Sequence, residues 1–281
     1  MIESFLVTSR ETLEAGLVVG IVLAYLNKTN NQDYKKTVYF AIIFGILASI
    51  LSAFIFIVFA NGFGGLQEKI FQGTTMLLGA FLLTTMILWM MQQRHIAKEI
   101  EGRVEKHLLN SQILFSHAGV FMLIFIAIIR EGIETVIFLN ALNYANGINF
   151  IGGSLGIIAA VLVGYLFFVS TRKINLKKLF NISSILLILF AAGLVVHSVR
   201  ELEDAKLLHG IITPLYNMNP AVNADGTYPL MHEKGAIGSF LNGLLGYSAS
   251  PSLLEAIAYF SYLVLIFVFY KRIQNSAITN A

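Results

Sequence analysis

No residue between Thr135 and Thr171 carries a charge. A soluble domain has little use for so long an apolar run, whereas a bilayer requires one. The hydrocarbon core is about 30 Å thick and is crossed by about 20 apolar residues in a helix. The run therefore reads as two crossings, divided at "NYANGINFIGG", where Asn and Gly cluster as they do in loops. Equivalent runs elsewhere in the 281 residues give spans near 4–26, 37–60, 72–91, 115–143, 151–170, 182–199 and 252–271. Only 12% of the chain is charged, against about 25% in soluble domains, and its mean hydropathy is +0.75. The expected class is all-α integral membrane, with seven transmembrane helices. No Lys or Arg precedes Arg10, so the start lacks the basic region of a cleaved signal peptide and the first helix is expected to stay. The stretch 235–250, "GAIGSFLNGLLGYSAS", is apolar but glycine-rich, and reads as either a re-entrant or a surface helix.

Basic residues alternate between successive loops. Loops 27–36, 92–114 and 171–181 and the tail hold Lys28, Lys35, Lys36, Arg94, Lys98, Arg103, Lys106, Arg172, Lys173, Lys177, Lys178, Lys271 and Arg272. The opposite side holds Lys69, Arg200, Lys206 and Lys234. By the positive-inside rule the N-terminus is outside and the C-terminus is in the cytoplasm, as an odd number of crossings requires. The expected location is the cytoplasmic membrane, multi-pass and in contact with lipid. The pI near 9.0 is then a topology signal, not a nucleic-acid footprint. "RHIAKEIEGRVEKH" (94–107) mixes both signs and reads as an exposed cytoplasmic helix. Trp89 reads as an interfacial anchor.

Two spans break the apolar rule. "RETLEAGLVVG" begins at Arg10 and "REGIETVIFLN" at Arg130, and both read R-E-x-x-E. A charged side chain at the bilayer centre costs about 2.5–3.5 kcal/mol on insertion scales, so such groups mark function by default. Glu11 and Glu14 are three apart and share a helix face, while Arg10 and Glu14 are four apart and can pair along it. The same holds for Arg130, Glu131 and Glu134. Each motif lies in the first helix of a three-helix group, so the two groups enter the membrane from opposite sides. This is a 3+3 inverted repeat with one C-terminal helix added, a design that puts transporter sites near the midplane. The expected divisions are 1–110, 111–200, an external loop 201–251, and 252–281. At 1.5 Å per residue Glu14 and Glu134 both lie roughly 15 Å below the outer surface. The four carboxylates would be bracketed by two guanidiniums, with more negative charge than a structural pairing needs.

Carboxylates favour hard cations. The chain has no cysteine, which removes thiolate sites. Met86, Met90 and Met91 read as helix packing and not as a copper site. Ligand type alone leaves iron, manganese, magnesium and calcium open.

The chain resembles the high-affinity iron permease family, the oxidase-dependent iron transporters of fungal iron permease and bacterial EfeU type. Both R-E-x-x-E copies carry the resemblance, with "AAGLVVHSVRE" in the sixth span and "GYSASPSLLEAIAYFSYL" at the seventh. Thr12 stands where glycine is common in the first motif. The resemblance implies that Glu11, Glu14, Glu131 and Glu134 take part in moving iron, with Arg10 and Arg130 in support. It also implies an extracytoplasmic iron-oxidising or iron-delivering partner, and iron as substrate, with no resident cofactor. The alternatives are a transporter of lead or manganese, or an oxidoreductase subunit whose carboxylates relay protons.

Further polar groups lie toward the outside. Glu201, Glu203, Asp204 and His209 would collect cations at the outer mouth or simply be solvated. His197, Glu255 and Glu68 are secondary candidates, and a first-turn glutamate such as Glu255 also suits the helix dipole. His95 and His107 read as solvated and His117 as near the cytoplasmic interface. No Gly-rich phosphate loop with Gly-Lys-Ser/Thr is present, so ATP coupling has no signature.

Overall fold

The computed structural model describes residues 1–92, 113–169, 176–210, 212–223 and 227–279. Its helices are α1 (Ile2–Lys28), α2 (Tyr34–Ala60), α3 (Leu66–Gln92), α4 (Ile113–Asn146), α5 (Phe150–Val169), α6 (Leu176–Asp204), α7 (Ala236–Leu245) and α8 (Leu253–Thr279). The described residues form no strand. By length and composition α2, α3, α5, α6 and α8 suffice to cross a membrane. α1, with 27 residues, and α4, with 34, are also long enough, but the charged motifs interrupt their apolar sequence.

Contacts at the helix ends give their directions. At one end, Asn149 N–H donates to Ser4 Oγ and Thr8 Oγ1 donates to the Gly153 carbonyl, so α1 and α5 start together. The rings of Phe71 and Tyr144 meet there, joining the start of α3 to the end of α4. Lys69–Asp204 and Arg200–Glu255 add the end of α6 and the start of α8. At the other end Tyr34 stacks on His117, and the Thr37 hydroxyl lies 2.8 Å from His117 Nδ1. Consecutive long helices therefore alternate in direction.

The main pairings are α1 on α5, α2 on α4 and α3 on α6, with α1 also against α4. A two-fold axis that exchanges α1–α3 with α4–α6 would leave this set of pairs unchanged. Glycine permits the closest approaches: a Cβ on Gly132 would overlap Ser49 of α2, and one on Gly156 would overlap Thr8 of α1. Apolar packing falls into two main clusters. Val7, Leu83, Phe138 and Leu194 belong to one, and Val22, Ala41, Ile124 and Ile128 to the other. Residues 10–14 and 130–134 lie between these clusters on their helices, held by apolar packing on both sides.

Several helix ends differ from the expected ones. α3 begins at Leu66, so Glu68 sits in a first turn and not in a loop. α6 takes in residues 176–181 at its start, and Glu201, Glu203 and Asp204 at its end. An apolar run marks the bilayer core, whereas a helix continues until something caps it. For α6 the cap is a left-handed Lys206 (φ 57°), with Lys206 N–H bonded to Glu203 O and Leu207 N–H to Leu202 O. The stretch 235–250 contains α7, which stops at a left-handed Gly246 and packs on α6. The helix expected over 94–107, with His95 and His107, lies outside the described residues.

Candidate metal centre

The motif segments of α1 and α4 face each other between the two apolar clusters. Glu11, Glu131 and Glu134 each direct one carboxylate oxygen to a common point, and these oxygens lie within 4.8 Å of one another. In a triangle of that size the centre is at most about 2.8 Å from each corner, and hard cations bind oxygen at about 2.0–2.6 Å. Small side-chain rotations would close the difference. Glu11 Oε2, Glu131 Oε2 and Glu134 Oε2 are buried without a hydrogen-bond partner among the described residues. A buried acceptor without a donor is costly, and a cation held by the three carboxylates would offset that cost.

Glu14 stands apart from this triad. Its Oε1 lies 3.2 Å from Arg10 Nη2, in the i,i+4 pairing that the spacing predicts. The second motif repeats that pairing, with Arg130 Nε donating to Glu134 Oε1 at 2.9 Å. The environments of the two arginines differ. Arg10 is 1% exposed, whereas the Arg130 side chain is 49% exposed.

Each arginine also has a partner on α3. Arg10 Nη1 donates to Met86 Sδ at 2.9 Å, and the Arg130 guanidinium lies 5.8 Å from the centre of the Trp89 ring. Sequence reasoning gave Met86 to packing and Trp89 to the interface. Their spacing of three residues on α3 was visible, but which face of α3 meets the motif helices was not.

The remaining candidates lie elsewhere. Glu255 is buried and accepts two hydrogen bonds from Arg200, at 2.9 and 3.2 Å. Arg200 also donates to Ser248, which donates to Glu233, so a polar cluster ties the segment 201–251 to α6 and α8. No motif or spacing in the sequence marks Glu233 for this role. His197 is buried, with Nε2 lacking a partner among the described residues. Glu68 accepts from Gln72, and Asp204 pairs with Lys69 at 2.6 Å on the surface. Glu201 and Glu203 lie in the last turn of α6, where Glu203 Oε1 is buried without a partner among the described residues. His209 is exposed.

The family model described as "Iron permease FTR1 family" matches residues 1–276. A ferrous iron permease EfeU of Yersinia pestis is 30% identical, over 100% of this chain and 98% of the relative. The EfeU of Escherichia coli O6:K15:H31 is 26% identical over 94% of this chain and 93% of its own length. An uncharacterised protein of Archaeoglobus fulgidus is 31% identical over 99% of this chain and 98% of that protein. No solved structure matches. The matched family consists of permeases, which are transporters and not enzymes, so the oxidoreductase alternative is set aside. The chain belongs to the iron permease FTR1 family.

Proposed function

We propose that the protein carries iron inward across the cytoplasmic membrane, with Glu11, Glu131 and Glu134 as the ligands of the ion in transit. The observation that carries this reading is the convergence of two buried carboxylates and one half-buried one from two R-E-x-x-E motifs, in a member of an iron permease family. The relatives named for ferrous iron favour iron(II) as the form carried here. The ion is substrate and not a resident cofactor.

In this reading the chain crosses the membrane seven times, N-terminus outside, with 1–110 and 111–200 as inverted repeats. Alternating helix directions and two-fold-related pairings support it. The external segment 201–251 and the helix that follows (252–281) complete the chain. Glu68, Glu201, Glu203 and Asp204 would gather cations at the outer mouth, close to an extracytoplasmic iron-oxidising or iron-delivering partner. Iron would exchange water for carboxylate oxygens at the triad. Glu14, next to Arg10, would serve as the acceptor that the ion meets on entering or leaving. Arg10 and Arg130 offset part of the negative charge while the site waits. Rocking of one repeat against the other would then open the site to the cytoplasm.

Uptake of iron(II) into proteoliposomes tests the reading. Glu11→Ala, Glu131→Ala and Glu134→Ala are each expected to abolish uptake at equal reconstitution, and wild-type rates in all three would sink it. Competition by manganese or lead ions separates an iron carrier from one of another metal. If either ion outcompetes iron, the substrate assignment fails.

A further inference from the structure

We infer that Met86 and Trp89 are positioning residues that draw the two motif arginines back from the carboxylate triad and so keep it open to a cation. The inference rests on the reading of Glu11, Glu131 and Glu134 as an iron site.

A guanidinium among carboxylates ordinarily forms forked pairs, two parallel N–H···O bonds at about 2.7–2.9 Å. Neither motif arginine does so. Arg10 is surrounded by acid groups, yet among the described residues its one short hydrogen bond runs to a thioether, Met86 Sδ at 2.9 Å, with a longer one to Glu11. Its Nη1 is 3.5 Å from Glu11 Oε1. Nη2 approaches Glu14 without hydrogen-bond geometry, and neither Nη2 nor Nε has a hydrogen-bond partner among the described residues. Among the described residues Arg130 makes one hydrogen bond, to Glu134, and is 3.9 Å from Glu131, with its guanidinium set against the Trp89 ring.

Both partners are soft and uncharged. A thioether is a weak acceptor and an aromatic face attracts a cation without consuming a carboxylate oxygen. Met86 and Trp89 are three residues apart on α3, so one face of that helix serves both motifs. α3 itself carries no charged residue between Lys69 and its end. Each arginine thus remains close enough to offset charge but leaves Glu11 Oε2, Glu131 Oε2 and Glu134 Oε2 unoccupied. Once released, Arg10 would fork onto Glu11 and Glu14, and Arg130 onto Glu131 and Glu134, in direct competition with the ion.

The test is anaerobic equilibrium dialysis of iron(II) against the purified full chain. Met86→Leu keeps the volume and removes the acceptor, and is expected to weaken binding roughly ten-fold. Met86→Gln restores an acceptor and should recover most of that loss. Trp89→Leu is expected to weaken binding several-fold, with Trp89→Phe close to wild type. Met76→Leu, a buried methionine of the same helix within the apolar core, should bind as wild type does. A purely structural role would give equal losses in the Leu and Gln variants of Met86, or a loss in Met76→Leu too, and either result overturns the inference. So does wild-type binding in both Met86→Leu and Trp89→Leu while Glu131→Gln has lost it. Where Met86→Leu does not purify as a single species, the two Trp89 variants decide. If Glu131→Gln also binds as wild type does, the site reading fails first and the inference with it.

Discussion

Replacing Glu131 by Gln separates a transport site from a structural ion pair, because the two predict opposite signs for stability. The substitution keeps the shape and removes one charge from a triad whose oxygens lie within 4.8 Å of one another. A divalent ion at the centre would be at most about 2.8 Å from that oxygen. Even at the dielectric of water, the lost attraction is about 3 kcal/mol. That is about two orders of magnitude in affinity. Without the ion the balance reverses. Repulsion from two carboxylates at 4.8 Å, about 0.9 kcal/mol each, outweighs attraction to Arg130 at 3.9 Å, about 1.1 kcal/mol. Glu131→Gln should therefore bind iron(II) about 100-fold more weakly by anaerobic dialysis. In chelator it should melt at the same temperature as wild type or slightly higher. A fall of less than ten-fold in affinity would mean that the Glu131 carboxylate does not ligate the ion. A melting temperature several degrees lower would show instead that the carboxylate is a structural partner of Arg130.

Gly132→Ala places a Cβ against Ser49 and should destabilise the α2–α4 contact by about 1–3 kcal/mol. The loss would be read as a lower melting temperature in detergent, with Ser49→Gly in the same chain restoring it. Glu255→Ala leaves Arg200 without its carboxylate and should cost a few kcal/mol. It should also make the segment 201–251 more sensitive to protease, and an unchanged digestion pattern would show that the polar cluster does not hold that segment.

The helices were legible because an apolar run marks a helix of this length wherever charge does not interrupt it. Their ends were not, since hydropathy reports the bilayer core and not the last hydrogen bond. Residues Glu201 to Asp204 continue α6 until the left-handed turn at Lys206, which no periodicity announces. The pairings Arg10–Glu14 and Arg130–Glu134 follow from helical spacing and are present. How the motifs meet depends on the rotation of α1 against α4, which spacing within either helix does not specify. That rotation brings Glu11 to Glu131 and Glu134 and leaves Glu14 with Arg10. The roles of Met86 and Trp89 were hidden for the same reason. In the sequence they are two apolar residues among many, and only the packing of α3 on α4, with Arg10 of α1 reaching across to Met86, puts a guanidinium beside each.

The most direct test is iron-edge anomalous scattering from crystals of the protein grown anaerobically with iron(II). The expected result is a peak between Glu11, Glu131 and Glu134, within coordination distance of an oxygen from each, and loss of that peak in Glu131→Gln. A peak confined to Glu201, Glu203 and Asp204, with the triad empty, would mean that the triad is not the iron site.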